Sequence, residues 1–194
     1  MHARLLFTAV VATTALALSG CGTEDNASSG GAAPTDSPSA SSPDSSAAAQ
    51  DGDGAGTAAV PEALRFTGTT VDGKPFDAAT LAGKPTVLWF WAPWCPTCKA
   101  QGPETARVAD RFEGKAHVIG VAGLDKPQAM KDFVTDTKVG TFPNLSDEPG
   151  EIWKKFEITQ QSIYVILDKD GKTVFTGSLP AGKGLADKLS PLVG

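Results

Sequence analysis

Cysteine and histidine are scarce in this chain, three of one and two of the other in 194 residues. Beyond Cys21, the cysteines are Cys95 and Cys98, and the one histidine in the same stretch is His117. A zinc site needs four donors, so a structural zinc centre lacks ligands and no metal is expected. Lys99 follows Cys98 where a covalent haem motif requires histidine, which excludes that attachment. No basic stripe stands out, so a nucleic-acid partner is not expected. The one long apolar run, Leu5 to Leu18, is too short to span a bilayer as a stable helix. Residues 22–60 lack aromatics, lysine and arginine altogether, and Val60 is their only large aliphatic residue.

What is present at the N-terminus is a targeting pattern. Arg4 followed by the apolar run has the form of a signal peptide. It ends in Leu18-Ser19-Gly20-Cys21, which resembles a bacterial lipobox, cut before a cysteine that then carries lipid. Residues 1–20 are therefore expected to be a lipoprotein signal peptide. Residues 21–60 are expected to be the lipidated Cys21 and a disordered linker, because Ser, Ala, Gly, Asp, Thr and Pro cannot bury enough apolar surface to offset ordering entropy. A coil of that length spans on the order of 35 Å. The net charge of −5 also belongs here. Glu24, Asp25, Asp36, Asp44, Asp51 and Asp53 have no basic counterpart, whereas from Pro61 onward 16 basic and 16 acidic residues cancel.

The folded domain is expected over 61–194. Leu64 to Val71 reads as a strand, Asp72-Gly73 as a hairpin turn and Pro75-Phe76 as the return. Pro85 to Trp91 is apolar and rich in β-formers, as a strand buried on both faces should be. A helix is expected from the cysteine pair to about Phe112, and Ala116 to Ala122 reads as a second buried strand. A helix from Pro127 to about Thr137, a short segment at Phe142-Leu145 and a brief helix at Glu151–Phe156 follow. Ser162–Leu167 and Lys172–Phe175 make a hairpin around Asp168–Gly171, and a helix at Leu185 to about Ser190 ends before Pro191. The order implies an α/β mixed central sheet with helices on both faces, preceded by an added N-terminal β-hairpin.

Trp91-Ala92-Pro93-Trp94-Cys95-Pro96-Thr97-Cys98 is the strongest signal. Cysteines at this spacing at a helix start lie within bonding reach. Cys95 at the N-terminus meets unpaired N–H groups and the helix dipole, which favour a thiolate. Pro96 suits the first turn. Cys98, one turn in, is expected to be the more buried, resolving thiol, with Cys95 exposed. An inert structural disulfide is the alternative, but closing so short a loop restrains little of the unfolded chain.

These residues resemble the thioredoxin superfamily, and the rest resembles its exported TlpA/ResA/DsbE branch. The marks are the hairpin Phe66 to Phe76, Phe142-Pro143, and Pro103 inside the active-site helix, where it should kink it. Pro-Thr between the cysteines and the lipobox are similar to actinobacterial DsbE/DsbF-type lipoproteins. The resemblance implies a thioredoxin-like fold, Cys95 and Cys98 as catalytic residues and support from Trp94, Pro96, Thr97 and Ser162. It also implies a substrate loop holding Gln160 and Gln161, and no cofactor beyond a redox-active Cys95–Cys98 disulfide. Trp94 is read as cover over the disulfide, and Trp89, Phe90, Trp91 and His117 as structural. The departures are specific. Trp89 stands where thioredoxins keep a buried aspartate, and Gln101 where many ResA-type proteins keep glutamate. Glu104 is read as a solvated surface residue. Ser162 holds the place of a cis-proline, so a trans Gln161–Ser162 bond in a locally altered loop is expected, with the Ser162 hydroxyl near Cys95.

The function expected is a membrane-anchored thiol–disulfide oxidoreductase, Cys95 attacking and Cys98 resolving, leaning towards oxidation. Potentials in such proteins run from roughly −270 to −120 mV, and Thr97 offers only a hydroxyl to the thiolate. The alternatives are a reductase, including for cytochrome c maturation, and, further off, a redoxin-type peroxidase or a Sco-like copper module. The partners expected are exported proteins with thiols or disulfides, a membrane redox partner that resets the pair, and the membrane itself through the lipid. The domain is read as a monomer at the outer face of the cytoplasmic membrane.

Overall fold

The computed structural model describes residues 59–194; the signal segment, Cys21 and nearly all of the linker lie outside the described residues. Strand β3 (Thr86–Trp91) is buried at every position and sits at the centre of a five-stranded sheet. It pairs in parallel with β4 (His117–Ala122), which pairs in parallel with the short β5 (Asn144–Ser146). On its other side lies antiparallel β6 (Ile163–Leu167), followed by β7 (Thr173–Gly177), giving the order β5-β4-β3-β6-β7. Parallel neighbours require crossovers, and α1 (Pro96–Arg111) and α2 (Pro127–Thr137) supply them. α3 (Glu151–Lys155) precedes β6, and α4 (Leu185–Leu189) follows β7 and runs into a 3-10 turn, Ser190–Leu192.

Alternation along the strands sorts the core onto two faces. Val87, Trp89, Trp91, Val118, Tyr164 and Ile166 pack with α1, α2 and α4. Leu88, Phe90, Ile119, Val121, Val165 and Leu167 pack with α3 and the N-terminal segment. The mixed sheet covered on both faces is thus the architecture observed.

The N-terminal hairpin is shorter than the sequence pattern suggested. β1 covers Thr67–Thr69 and pairs with β2 (Pro75–Asp77), while Leu64 belongs to a 3-10 turn, Glu62–Leu64. Leu64 is drawn into the core instead of into a ladder. After β2, Asp77 caps a second 3-10 turn, Ala78–Leu81, by accepting the Ala79 N–H. Pro103 lies within a continuous α1.

Candidate functional site

Cys95 is the N-cap of α1 and Pro96 its first residue, the position where a missing N–H costs nothing. The two cysteines are joined as a disulfide, with Cα atoms 5.3 Å apart. Cys95 Sγ also accepts the Cys98 N–H at 3.0 Å. That donor is one of the orphan groups of the helix start, so a charge left on Cys95 after reduction would already have a partner. Trp94, Pro96 and Thr97 are exposed around the pair.

The sulfur of Cys95 is not exposed as expected: Cys95 is 1% accessible and Cys98 0%. The bond ties Cys95 to a sulfur in the core, and its side chain turns back over the first helical turn to reach the Cys98 N–H. Position, not exposure, distinguishes the two cysteines in this oxidised form. Trp94 is 52% accessible, and its indole N–H donates to the Leu124 carbonyl at 3.3 Å.

Beneath the pair lies a neutral polar framework. Trp89, at the thioredoxin aspartate's place, donates from Nε1 to Gln101 Oε1 at 3.1 Å. Gln101 Nε2 donates to the Leu179 carbonyl at 2.7 Å, clamping the turn after Cys98 to the segment following β7. Thr105 Oγ1 donates to the Gln101 carbonyl and meets Tyr164 OH at 2.8 Å. With the Thr105 proton committed, Tyr164 is the donor to Thr105. Burial pushes the Tyr164 hydroxyl well above its ordinary pKa and keeps that proton in place. Trp91 donates to Asn144 Oδ1 at 3.1 Å, and Asn144 Nδ2 binds the carbonyls of Val139 and Phe142 at 2.9 Å each. Gly120 makes this crossing feasible, since a Cβ there would lie 2.0 Å from Asn144 Oδ1. Among the described residues no carboxylate hydrogen-bonds either sulfur.

Glu104 overturns its reading as a solvated residue. It is 6% accessible and ion-paired with Arg107. Three residues after Gln101, it falls on the buried stripe of α1 with Thr105 and Val108, and Arg107 supplies the compensating charge. His117 is half-buried, and burial, with a smaller contribution from Lys84, lowers its pKa.

Just before β6 and beside the C-terminal end of β3, Ser162 takes φ 69° and its N–H donates to the Phe90 carbonyl at 2.8 Å. Proline can do neither, because its ring fixes φ near −65° and removes the N–H. The loop is altered at this position. The Ser162 hydroxyl, expected near Cys95, shares a hydrogen bond with Ser178 Oγ at 3.2 Å. Gln160 is exposed and Gln161 half-exposed on the same loop.

The sequence alone did not single out Leu124, Ser178 or Leu179. Nothing local marks them, since each acts through a partner distant in the chain. Gly120 did carry a signal, as an isolated glycine inside an apolar strand marks close approach of another group.

A model of the AhpC/TSA family matches residues 60–175. The chain is 40% identical over 132 residues to soluble secreted antigen MPT53 of Mycobacterium tuberculosis, covering 68% of this chain and 75% of that one. It is 29% identical over 114 residues to thiol-disulfide oxidoreductase ResA of Bacillus thuringiensis subsp. konkukian, covering 58% and 65%. The structure of a secreted Mycobacterium tuberculosis disulfide oxidoreductase homologous to E. coli DsbE superposes with a TM-score of 0.59 at 39% identity, covering 68% and 96%. The chain belongs to the AhpC/TSA family, with a thioredoxin-like fold, and is a thiol–disulfide oxidoreductase.

Proposed function

We propose that the protein exchanges disulfides in exported polypeptides from a lipid anchor at Cys21, working towards oxidation. The observation that carries the reading is the Cys95–Cys98 disulfide at the α1 N-terminus, with a backbone N–H already on Cys95 Sγ. In the oxidising direction a substrate thiolate attacks Cys95 Sγ, the Cys95–Cys98 bond breaks and Cys98 leaves as thiolate. A second substrate thiolate then attacks the substrate sulfur of the mixed disulfide and Cys95 leaves. The substrate loses two electrons and two protons, and the protein gains them. A membrane redox partner would take them back.

Support for the oxidising direction comes from the reduced state. The Cys98 N–H and the helix dipole stabilise a Cys95 thiolate, and stabilising the reduced form makes the disulfide more oxidising. No buried aspartate is present at position 89 to give a proton to the departing Cys98 thiolate, so solvent or substrate serves. The secreted relative and the signal-like N-terminus support an extracytoplasmic site; no helix among the described residues is long and apolar enough to cross a membrane. The test sets oxidative refolding of a reduced protein beside insulin reduction. Faster refolding with weak insulin reduction supports the proposal; strong insulin reduction with no refolding activity contradicts its direction.

A further inference from the structure

Two neighbouring residues just after β7 reach two different parts of the fold. The Leu179 carbonyl accepts from Gln101 Nε2 at 2.7 Å, three residues beyond Cys98 on α1. The Ser178 hydroxyl shares a hydrogen bond with that of Ser162, the two Oγ atoms being 3.2 Å apart. Ser162 is fixed in turn to the end of β3, through its N–H on the Phe90 carbonyl. β3 ends at Trp91, four residues before Cys95. Residues 178 and 179 thus tie the turn that follows Cys98 to the loop that holds Ser162.

The two anchors differ in rigidity. Leu179 is buried in the same core cluster as Cys95 and Cys98. Its partner Gln101 is 1% accessible and is held from its other side by the Trp89 indole. That end cannot shift without stranding buried polar groups. Ser178 is itself exposed, so its place is set by the buried Leu179 beside it. Ser162 is 7% accessible and takes φ 69°. A residue other than glycine stays in that region only where its surroundings hold it. Here the backbone is held by Phe90, and among the described residues the side chain is held by Ser178.

We propose that Ser178 is a positioning residue for exchange with polypeptides. Anchored to α1 through Leu179, it sets where Ser162, and with it Gln160 and Gln161, stands relative to the disulfide. This rests on the reading that the substrate is a polypeptide and that the Gln160–Ser162 loop meets it. A small thiol needs only the Cys95 sulfur. A polypeptide thiol brings its flanking backbone as well, and a loop out of place slows that reaction alone.

The test reacts oxidised protein with the reduced insulin B chain and with glutathione, and takes the ratio of the two rates. An effect on the disulfide itself, or on overall stability, acts on both reactions and cancels in the ratio. Ser178→Ala should lower the ratio roughly threefold, the effect of losing one hydrogen bond between neutral groups. Ser162→Ala should lower it equally, and the double variant no further, because both substitutions remove the same bond. Ser178→Thr, which keeps a hydroxyl, should retain the parent ratio. An unchanged ratio in Ser178→Ala, losses that multiply in the double variant, or a loss in Ser178→Thr equal to that in Ser178→Ala overturns the inference. A parent that reacts with glutathione but not with the B chain overturns the polypeptide reading itself, and the inference with it.

Discussion

On the face of the sheet that carries α1, buried side chains are fastened to one another by directed hydrogen bonds: Trp89 to Gln101, Trp91 to Asn144, Tyr164 to Thr105. On the opposite face Leu64, Leu88, Phe90, Ile119 and Val165 pack by contact alone. The polar bonds there run to backbone, as from Trp153 Nε1 to the Val121 carbonyl and from the Glu151 and Trp153 N–H groups to Asp147. Apolar contacts stabilise a fold without fixing one geometry, whereas hydrogen-bonded side chains accept few alternatives. The difference places the directed bonds under the helix whose first turn holds the disulfide. It also replaces an acid with neutral groups: where a carboxylate could exchange protons with Cys98, this chain has an indole and an amide.

The sharpest way to break the comparison is Gly120→Ala. Its methyl group would collide with Asn144 Oδ1 and lie 2.8 Å from Trp91 Nε1, so overpacking adds to the lost hydrogen bonds. A loss of about 4 kcal/mol in urea unfolding is expected. A smaller contrast sets the two faces side by side. Leu88→Ala should cost about 3 kcal/mol by leaving a cavity. Gln101→Leu should cost about 2 kcal/mol by stranding the Trp89 N–H and the Leu179 carbonyl. Despite the smaller stability loss, Gln101→Leu should be the variant that moves the disulfide potential, measured against a glutathione buffer. If Leu88→Ala moves it as far, the two faces do not differ in this role.

Ser162→Pro tests the altered loop. Proline would have to leave φ 69° and give up the bond to Phe90, so a loss of about 1.5 kcal/mol is expected in the same unfolding assay. A variant as stable as the parent would show that the loop reverts to a proline-compatible form without penalty. The smallest effect concerns His117. Its pKa is lowered in the fold, so the fold favours the neutral ring. That stability is present above the unfolded pKa of about 6.5 and lost as pH falls through the folded value. The denaturation midpoint should fall between pH 7.5 and 5, and His117→Gln should flatten part of the fall.

Much of this was legible in the sequence because it rests on local pattern. β3 and β4 announce themselves as apolar stretches, and Pro96 and Pro127 stand where α1 and α2 begin. The cysteine spacing at a helix start points to the disulfide without any tertiary knowledge. What escaped depends on partners far along the chain. Gln101 is bonded to Leu179 across 78 positions, and Ser162 to Ser178 across 16. Glu104 looks like a surface residue by its charge, and only the helix phase turns it inward beside Gln101. Backbone signs behave similarly, since nothing in Leu124 or Ser162 foretells a positive φ that only the surrounding fold imposes.

The central claim is that Cys95 carries the bond to substrate and that Cys98 is the sulfur it parts from, the one that resolves the bond when exchange runs in reverse; single-cysteine trapping addresses it most directly. Cys98→Ser and Cys95→Ser proteins are incubated with unfolded, disulfide-bearing exported polypeptides, quenched with acid, and resolved without reductant. The account predicts abundant mixed disulfides for Cys98→Ser, where the stabilised thiolate remains and the resolving thiol is gone, and far fewer for Cys95→Ser. Equal trapping by the two variants, or more by Cys95→Ser, would contradict it.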